Sequence, residues 1–261
     1  MALLFKGDNL KALKTIEGPI DFVYIDPPFY SQADYGDYKD RWKTLDEYLG
    51  FLKERILLIK PLLKDSGLLA VQLDWHAVHY VKVMMDEIFG YDNFVNEIIW
   101  AYKSGGASPR SFARKHDTIL LYSKTKDYYF NPQKEKSYNR EGRAYKFKGV
   151  TEYEDEHGWY TLVNQKDVLN IDMVGRTAGE RTGYATQKPE ALLEVLIKSC
   201  CPEGGLVADF FAGSGTTGAV AYKNGRDFIL CDEQNESIET IKNRLDELGA
   251  KYEFFDADKL K

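Results

Sequence analysis

"GLVADFFAGSGTTGAVA", residues 205–221, joins an apolar run to a helix-like run through a turn that carries Gly213 and Gly215. The residues 205–211 have the composition of a buried strand, and 216–225 reads as a helix. Glycine at such a turn lets backbone approach a ligand, and the first helical turn offers unpaired N–H groups to negative charge. A second apolar run, "DFILCD" (227–232), follows the helix at once. Strand, helix and strand in succession are the unit of an α/β sheet with helices on its faces. Asp232 stands at the end of that second strand, with Glu233 next to it. Nucleotide-binding α/β folds place an acid there on ribose hydroxyls. The glycines leave the ligand open. No Lys-Ser or Lys-Thr follows them, as a phosphate loop requires, whereas "GSGTTG", ending at Gly218, fits the spacing of a dinucleotide site.

The same alternation extends outward. "KPEALLEVLIKSC" (188–200) precedes the glycine strand as a helix, and a last helix runs from about Glu236 to Leu248. Toward the N-terminus, "IDFVYI" (20–25) and "GLLAVQL" (67–73) read as buried strands. Between them Thr44–Lys64 carries an apolar helical stripe, with Thr44 as N-cap. A helix closed by Gly90 follows, then two strands, 94–102 and 117–124, joined by a basic Gly/Ser/Pro loop. Periodicity fades from 125 to 186, a stretch too long for an ordinary connection. The expected organisation is therefore a doubly wound, mostly parallel sheet built from 1–124 and 187–261, with 125–186 as an inserted region.

"YIDPPFY" (24–30) ends the first of those buried strands. Pro27 and Pro28 fix φ, lack N–H groups and hold Asp26 extended, so the chain leaves the sheet as a stiff loop with unpaired carbonyls. Free acceptors beside a carboxylate suit a ligand that donates hydrogens. The loop that follows, 30–42, has the Tyr, Gly and Asp content of a flap.

Charge is unevenly spread. The 261-residue chain carries −6 in all, yet residues 101–150 hold twelve Lys or Arg against four acids. Aromatic residues, among them Tyr102, Phe112, Tyr122, Tyr128 and Tyr145, are interleaved with the cations. That mixture can pair with phosphates and stack on bases. Arg110, Arg114, Lys115, Lys124 and Lys126 are the candidate phosphate contacts, and 125–186 the candidate target reader. Cys200, Cys201 and Cys231 lack the spacing of a zinc site, and His76 and His79 have no further ligand nearby, so no metal is expected. No apolar run is long enough for a membrane span and no leader pattern opens the chain, which points to the cytoplasm.

"DFFAGSGTT" together with "IDPPF" resembles the paired signatures of the S-adenosylmethionine-dependent DNA amino-methyltransferases: the FxGxG cofactor motif at Phe211, Gly213 and Gly215, and the DPPY-type catalytic motif with Phe29 in place of Tyr. With the catalytic motif first and the glycine motif last, the order is similar to that of the β-class. "FKGDNLKAL" (5–13), "KHDTILLYSK" (115–124) and "TQKPEALLEVLI" (186–197) resemble further motifs of that class. The resemblance implies a circularly permuted Rossmann-like methyltransferase fold whose two chain ends converge on one cofactor. Asp8 would meet the adenine end of S-adenosylmethionine, Asp232 or Glu233 its ribose, and Lys188, Ser214, Gly215 and Thr216 its methionine portion. Asp26, Pro27, Pro28 and Phe29 would be catalytic, with Asp26 also facing the cofactor. Implied partners are double-stranded DNA, with a homodimer and a cognate restriction endonuclease as candidates. The implied reaction is methylation of a flipped-out adenine at N6. Cytosine N4 methylation, a non-catalytic DNA-binding subunit and a nicotinamide oxidoreductase are the alternatives.

Overall fold

The computed structural model describes residues 1–35, 38–106 and 109–260. Strand β1 (Ala2–Lys6) leads into α1 (Asn9–Thr15), then β2 (Ile20–Ile25), the short strands β3 (Ala33–Tyr35) and β4 (Tyr38–Asp40), and the long helix α2 (Leu45–Leu62). Next come β5 (Leu63–Leu73), α3 (Val78–Phe89), β6 (Phe94–Ala101) and β7 (His116–Ser123). Four strands follow: β8 (Lys134–Tyr138), β9 (Glu152–Asp155), β10 (Gly158–Asn164) and β11 (Val168–Asn170). The chain closes with α4 (Glu190–Cys200), β12 (Leu206–Asp209), α5 (Thr216–Lys223), β13 (Asp227–Asp232), α6 (Asn235–Glu247) and β14 (Glu253–Asp256).

Nine strands form one sheet in the order β11-β6-β7-β5-β2-β12-β13-β1-β14. Every pairing is parallel except those of β7, which runs against both β5 and β6. The expected doubly wound α/β sheet is thus present, with β1 inserted between two strands from the far end of the chain. All six residues of β2 are buried, as a strand covered on both faces must be. Leu13, Tyr48, Leu52, Ile56, Val81 and Met85 from α1, α2 and α3 pack on one face. Leu193, Ile197, Val220, Ile238 and Ile241 from α4, α5 and α6 pack on the other.

Two boundaries depart from the sequence reading. Helix α2 stops at Leu62 rather than Lys64, because Pro61 sits in its last turn and Leu63 already pairs with Ile20. Register then shifts to Phe22↔Leu68, and a side chain at Gly67 would come within 2.9 Å of the Lys64 carbonyl oxygen, so this bulge needs glycine. Within 125–186, only β8, β10 and β9 form a separate three-stranded antiparallel sheet; β11 pairs with β6 on the edge of the main sheet. No helix among the described residues is long and apolar enough to cross a membrane.

Candidate active site

The carboxyl ends of β1, β2, β12 and β13 open on one cavity, at the place where strand order reverses between β2 and β12. Open α/β sheets bind ligands there. The cavity is lined by Gly7–Asp8 from the start of the chain, by 26–29, by Thr186 and Lys188, by Phe211–Ser214 and by Asp232–Gln234. The two signatures nearly two hundred residues apart therefore meet.

Asp26 carries the sharpest feature. Lys188 donates its ammonium to Oδ2 of Asp26, while Oδ1 is buried and accepts no hydrogen bond among the described residues. Burial pushes the Asp26 carboxyl up, and the Lys188 charge pulls it back toward ionisation. No described residue donates to the Pro27 carbonyl, whereas the Pro28 carbonyl accepts from the Tyr48 hydroxyl at 2.7 Å. Two acceptors, Asp26 Oδ1 and the Pro27 carbonyl, are thus left at the mouth of β2.

A second carboxylate shapes the loop beyond. Asp40, 1% exposed at the end of β4, accepts from the backbone N–H groups of Phe29 (3.1 Å), Tyr30 (3.1 Å) and Ser31 (2.7 Å), from the Ser31 hydroxyl and from the Trp42 indole. Tyr30 and Gln32 lie at φ 63° and 58°, a conformation that side chains resist. Charge-assisted bonds of about 1.5 to 3 kcal/mol each outweigh that strain of about 1 to 3 kcal/mol per residue. The loop expected to be a flap is therefore tied down at its base; Gly36 and Asp37 lie outside the described residues.

On the glycine side, Gly215 is the left-handed N-cap of α5, and a Cβ there would stand 2.8 Å from Ile241. The hydroxyl of Thr216 donates to the Lys188 carbonyl at 3.1 Å and accepts from Arg244 at 3.0 Å. Ser214 is buried with its hydroxyl 3.1 Å from that of Thr216. These groups brace the turn against the segment that carries Lys188. Phe211 packs edge-on to Phe51, 6.1 Å between centroids.

The acids divide by role. The Asp232 carboxylate accepts from the backbone of Gly213 (2.8 Å) and Gln234 (2.9 Å), so it holds the turn itself. Of the two acids named for ribose, Glu233 is the exposed one at the rim. Asp8 caps α1 through Leu10 N–H at 2.9 Å and pairs with Arg55 at 3.2 Å. Arg55 also lies 3.5 Å over the Phe51 ring and donates to Asn9. Asp209, at the end of β12, is pushed up to about 7 by burial, while the Thr217 hydroxyl and Phe211 N–H oppose the shift. Sequence reasoning passed over Asp40, Arg55, Tyr184 and Asp209. Asp209 had one available signal, an acid at the end of an apolar strand; Asp40 ends the short polar strand Tyr38–Asp40 and Tyr184 lies in an irregular stretch, and neither had one.

The five basic candidates separate. Arg114 and Lys115 precede β7, at the end of the sheet where β2 delivers Asp26, and Arg110 belongs to the same loop. Lys124 and Lys126 follow β7, roughly 23 Å away along a strand of this length. There Lys124 donates to the Leu63 carbonyl and pairs with Asp65, and Lys126 donates to the Asp92 carbonyl. The strand between them sets Lys124 and Lys126 at the opposite end of β7 from Arg110, Arg114 and Lys115, with their ammonium groups on the fold's own backbone.

A strand-end acid with unpaired acceptors faces a glycine turn across a cavity on a doubly wound sheet, which places the chain in the Rossmann-like α/β class. The DNA methylase family model of the N6/N4 methyltransferases matches residues 20–243, and the chain belongs to that family. The type II methyltransferase M.HpaI of Haemophilus parainfluenzae is 30% identical over 93% of this chain and 74% of its own length. The DNA adenine methyltransferase YhdJ of Escherichia coli K12 is 28% identical over 93% of this chain and 82% of its own. Among solved structures, the complex of M1.HpyAVI with SAM aligns over 94% of this chain and 99% of its own at TM-score 0.66 and 22% identity. The cytosine-N4-specific PvuII methyltransferase aligns over 100% of this chain and 96% of its own at TM-score 0.65 and 18% identity. At such identities the two structures establish the shared fold.

Proposed function

We propose that this chain moves a methyl group from S-adenosylmethionine to the N6 amine of an adenine turned out of duplex DNA, as the modification partner of a cognate restriction endonuclease. The observation that carries this reading is the pair of unsatisfied acceptors, Asp26 Oδ1 and the Pro27 carbonyl, at the cavity that the glycine turn closes. An adenine amine has two N–H groups and a lone pair delocalised into its ring. Two rigid acceptors draw on both hydrogens, localise the lone pair and stabilise the positive charge that grows on nitrogen. Asp26, whose charged form Lys188 favours against the burial that disfavours it, then takes up the proton that the methylated nitrogen sheds. Phe29 stacks on the extruded base.

The cavity fits the cofactor in charge. Asp8, Asp26, Asp209, Asp232 and Glu233 line it against Lys188 and Arg55, an acid-rich wall for a sulfonium cation. S-adenosylmethionine, when bound, supplies the electrophilic methyl. Glu233 holds the ribose, Asp8 the adenine end, and the turn at Gly213–Gly215 the methionine portion. Buried free thiols at Cys200, Cys201 and Cys231 suit work in a reducing cytoplasm.

Adenine is preferred over cytosine on Asp at the first position of DPPF and on the adenine activity in the name of the YhdJ relative. The family and the PvuII structure favour cytosine N4 as the second reading. Incubation with unmodified DNA and labelled cofactor, followed by digestion to nucleosides and mapping of the label, separates the two. N6-methyladenine is the expected product; N4-methylcytosine alone refutes the adenine assignment, and no label at all refutes the enzyme.

A further inference from the structure

Phe112 is 99% exposed, the highest value among the large apolar side chains of the described residues. A lone apolar side chain on a surface is ordinary. Its setting here is not. It stands midway between Arg110 and Arg114 on the loop from 102 to 115, which carries Lys103, Arg110, Arg114 and Lys115 and no acid.

The base of that loop is bolted. Tyr102 N–H donates to the Lys115 carbonyl at 3.0 Å, and the Lys115 ammonium reaches the Ser104 hydroxyl at 2.9 Å and the Gly105 carbonyl at 2.5 Å. The Arg114 guanidinium lies 3.8 Å over the Trp75 ring, and Trp75 stacks in turn on His76 at 3.9 Å, whose imidazole is held by Asp74. Register places this anchor beside the catalytic loop: Val71 pairs with Ile25, and Leu73 with Thr118. The loops that begin at Asp26, Asp74 and Tyr102 therefore leave one edge of the sheet in succession. A basic loop braced at its base thus carries an exposed aromatic ring at the same end of the sheet as the acceptors.

Turning a base out of a duplex leaves a gap about 3.4 Å high in its strand. Aromatic side chains fill such gaps, and proteins that distort DNA insert phenylalanine between base steps. Resting on the DNA reading above, we propose that Phe112 is the wedge that enters the helix beside the extruded base, with the cations of its loop on the flanking phosphates and the Arg114–Trp75 stack as its fixed footing.

The test compares the wild-type chain with Phe112→Ala and Phe112→Trp on synthetic duplexes bearing the mapped target site. One duplex is fully paired; the other carries a mispaired base opposite the target, which lowers the work of extrusion. Phe112→Ala is expected to lose about tenfold or more in kcat/KM on the paired duplex and to recover most of it on the mispaired one. Phe112→Trp is expected to stay near wild type, and the KM for S-adenosylmethionine to stay unchanged in both variants. With 2-aminopurine at the target position, the fluorescence rise on binding should shrink in Phe112→Ala and persist in Phe112→Trp. An undiminished rate on paired DNA, or an equal loss on both duplexes, overturns the wedge while methyl transfer by the wild type still stands. A wild-type chain that labels neither duplex overturns the DNA reading and the wedge together.

Discussion

The cavity and the three-stranded sheet β8–β10–β9 treat the same residue type in opposite ways. In and behind the cavity, burial pushes Asp26, Asp117, Asp209 and Asp232 up. In the small sheet, the Lys136 hydrogen bond leads in holding Asp155 down to about 2, and the backbone N–H of Tyr145 leads in lowering Glu152. Partners differ in reach as well. Lys188 is 162 residues from Asp26, and Asn9 is 201 from the Phe210 carbonyl it binds. In the small sheet Lys136 meets Asp155 across 19 residues, and Tyr138, Tyr160 and Tyr153 form one cross-strand row. The first region disfavours negative charge by burial, so a cation or amine brought beside these acids would stabilise their charged form. The second region holds its charges in solvent, paired locally, and its acids favour its own folding.

Asp26→Ala strikes hardest at that contrast. Methyl transfer should fall by about 10² to 10³ or more, with S-adenosylmethionine affinity within a few-fold by calorimetry; retained turnover would remove Asp26 from the chemistry. Asp40→Asn should come next. It keeps the shape but weakens the charged grip on Phe29, Tyr30 and Ser31, so kcat should drop by about tenfold or more while cofactor affinity holds. Equal loss in both would mean that Asp40 supports the whole fold rather than the catalytic loop.

Glu233 and Asp232 sharpen the division of labour between neighbours. Glu233→Gln should weaken cofactor binding by about tenfold with no change in melting temperature. Asp232→Asn should lower the melting temperature, because it loosens the turn at Gly213. The reverse pattern would exchange their roles.

The smallest effect is in pH dependence. Folded Asp209 keeps its proton up to about pH 7, whereas in an unfolded chain an aspartate releases it near 3.8. The folded state therefore binds more protons between those values, and the stability contributed by this group falls as pH rises through that window. Asp209→Asn should flatten the decline of melting temperature between pH 4 and 7. Asp155 has the opposite sign: its contribution is present above the unfolded value and fades as pH falls toward about 2. Asp155→Asn should thus leave the slope above pH 4 untouched.

Much of this molecule was legible from local pattern. The six buried residues of β2, the cap at Thr44 and the glycine turn before α5 follow from period and allowed φ, which are properties of neighbouring residues. The reversed direction of β7 was not, because alternation looks the same in either direction. Nor were the attachment of β11 to β6, the clamp by Asp40, or the separation of Lys124 from Lys115. Each depends on which segments the sheet sets side by side.

By itself the sequence determined that a strand would end in an acid and two prolines, that another would turn into a helix over glycine, and that cations would cluster between them. Those features rest on backbone stereochemistry and composition, which each short stretch carries with it. Tertiary structure decided which of the acids stay available. Asp232 is taken by the Gly213 turn, Asp40 by the loop after Phe29, and Asp26 keeps one oxygen free beside Lys188. The reason is that a carboxylate's chemistry is set by its burial and by donors within about 3 Å: those of Asp40 and Asp232 come from within twenty residues, while the partner of Asp26 comes from 162 residues away.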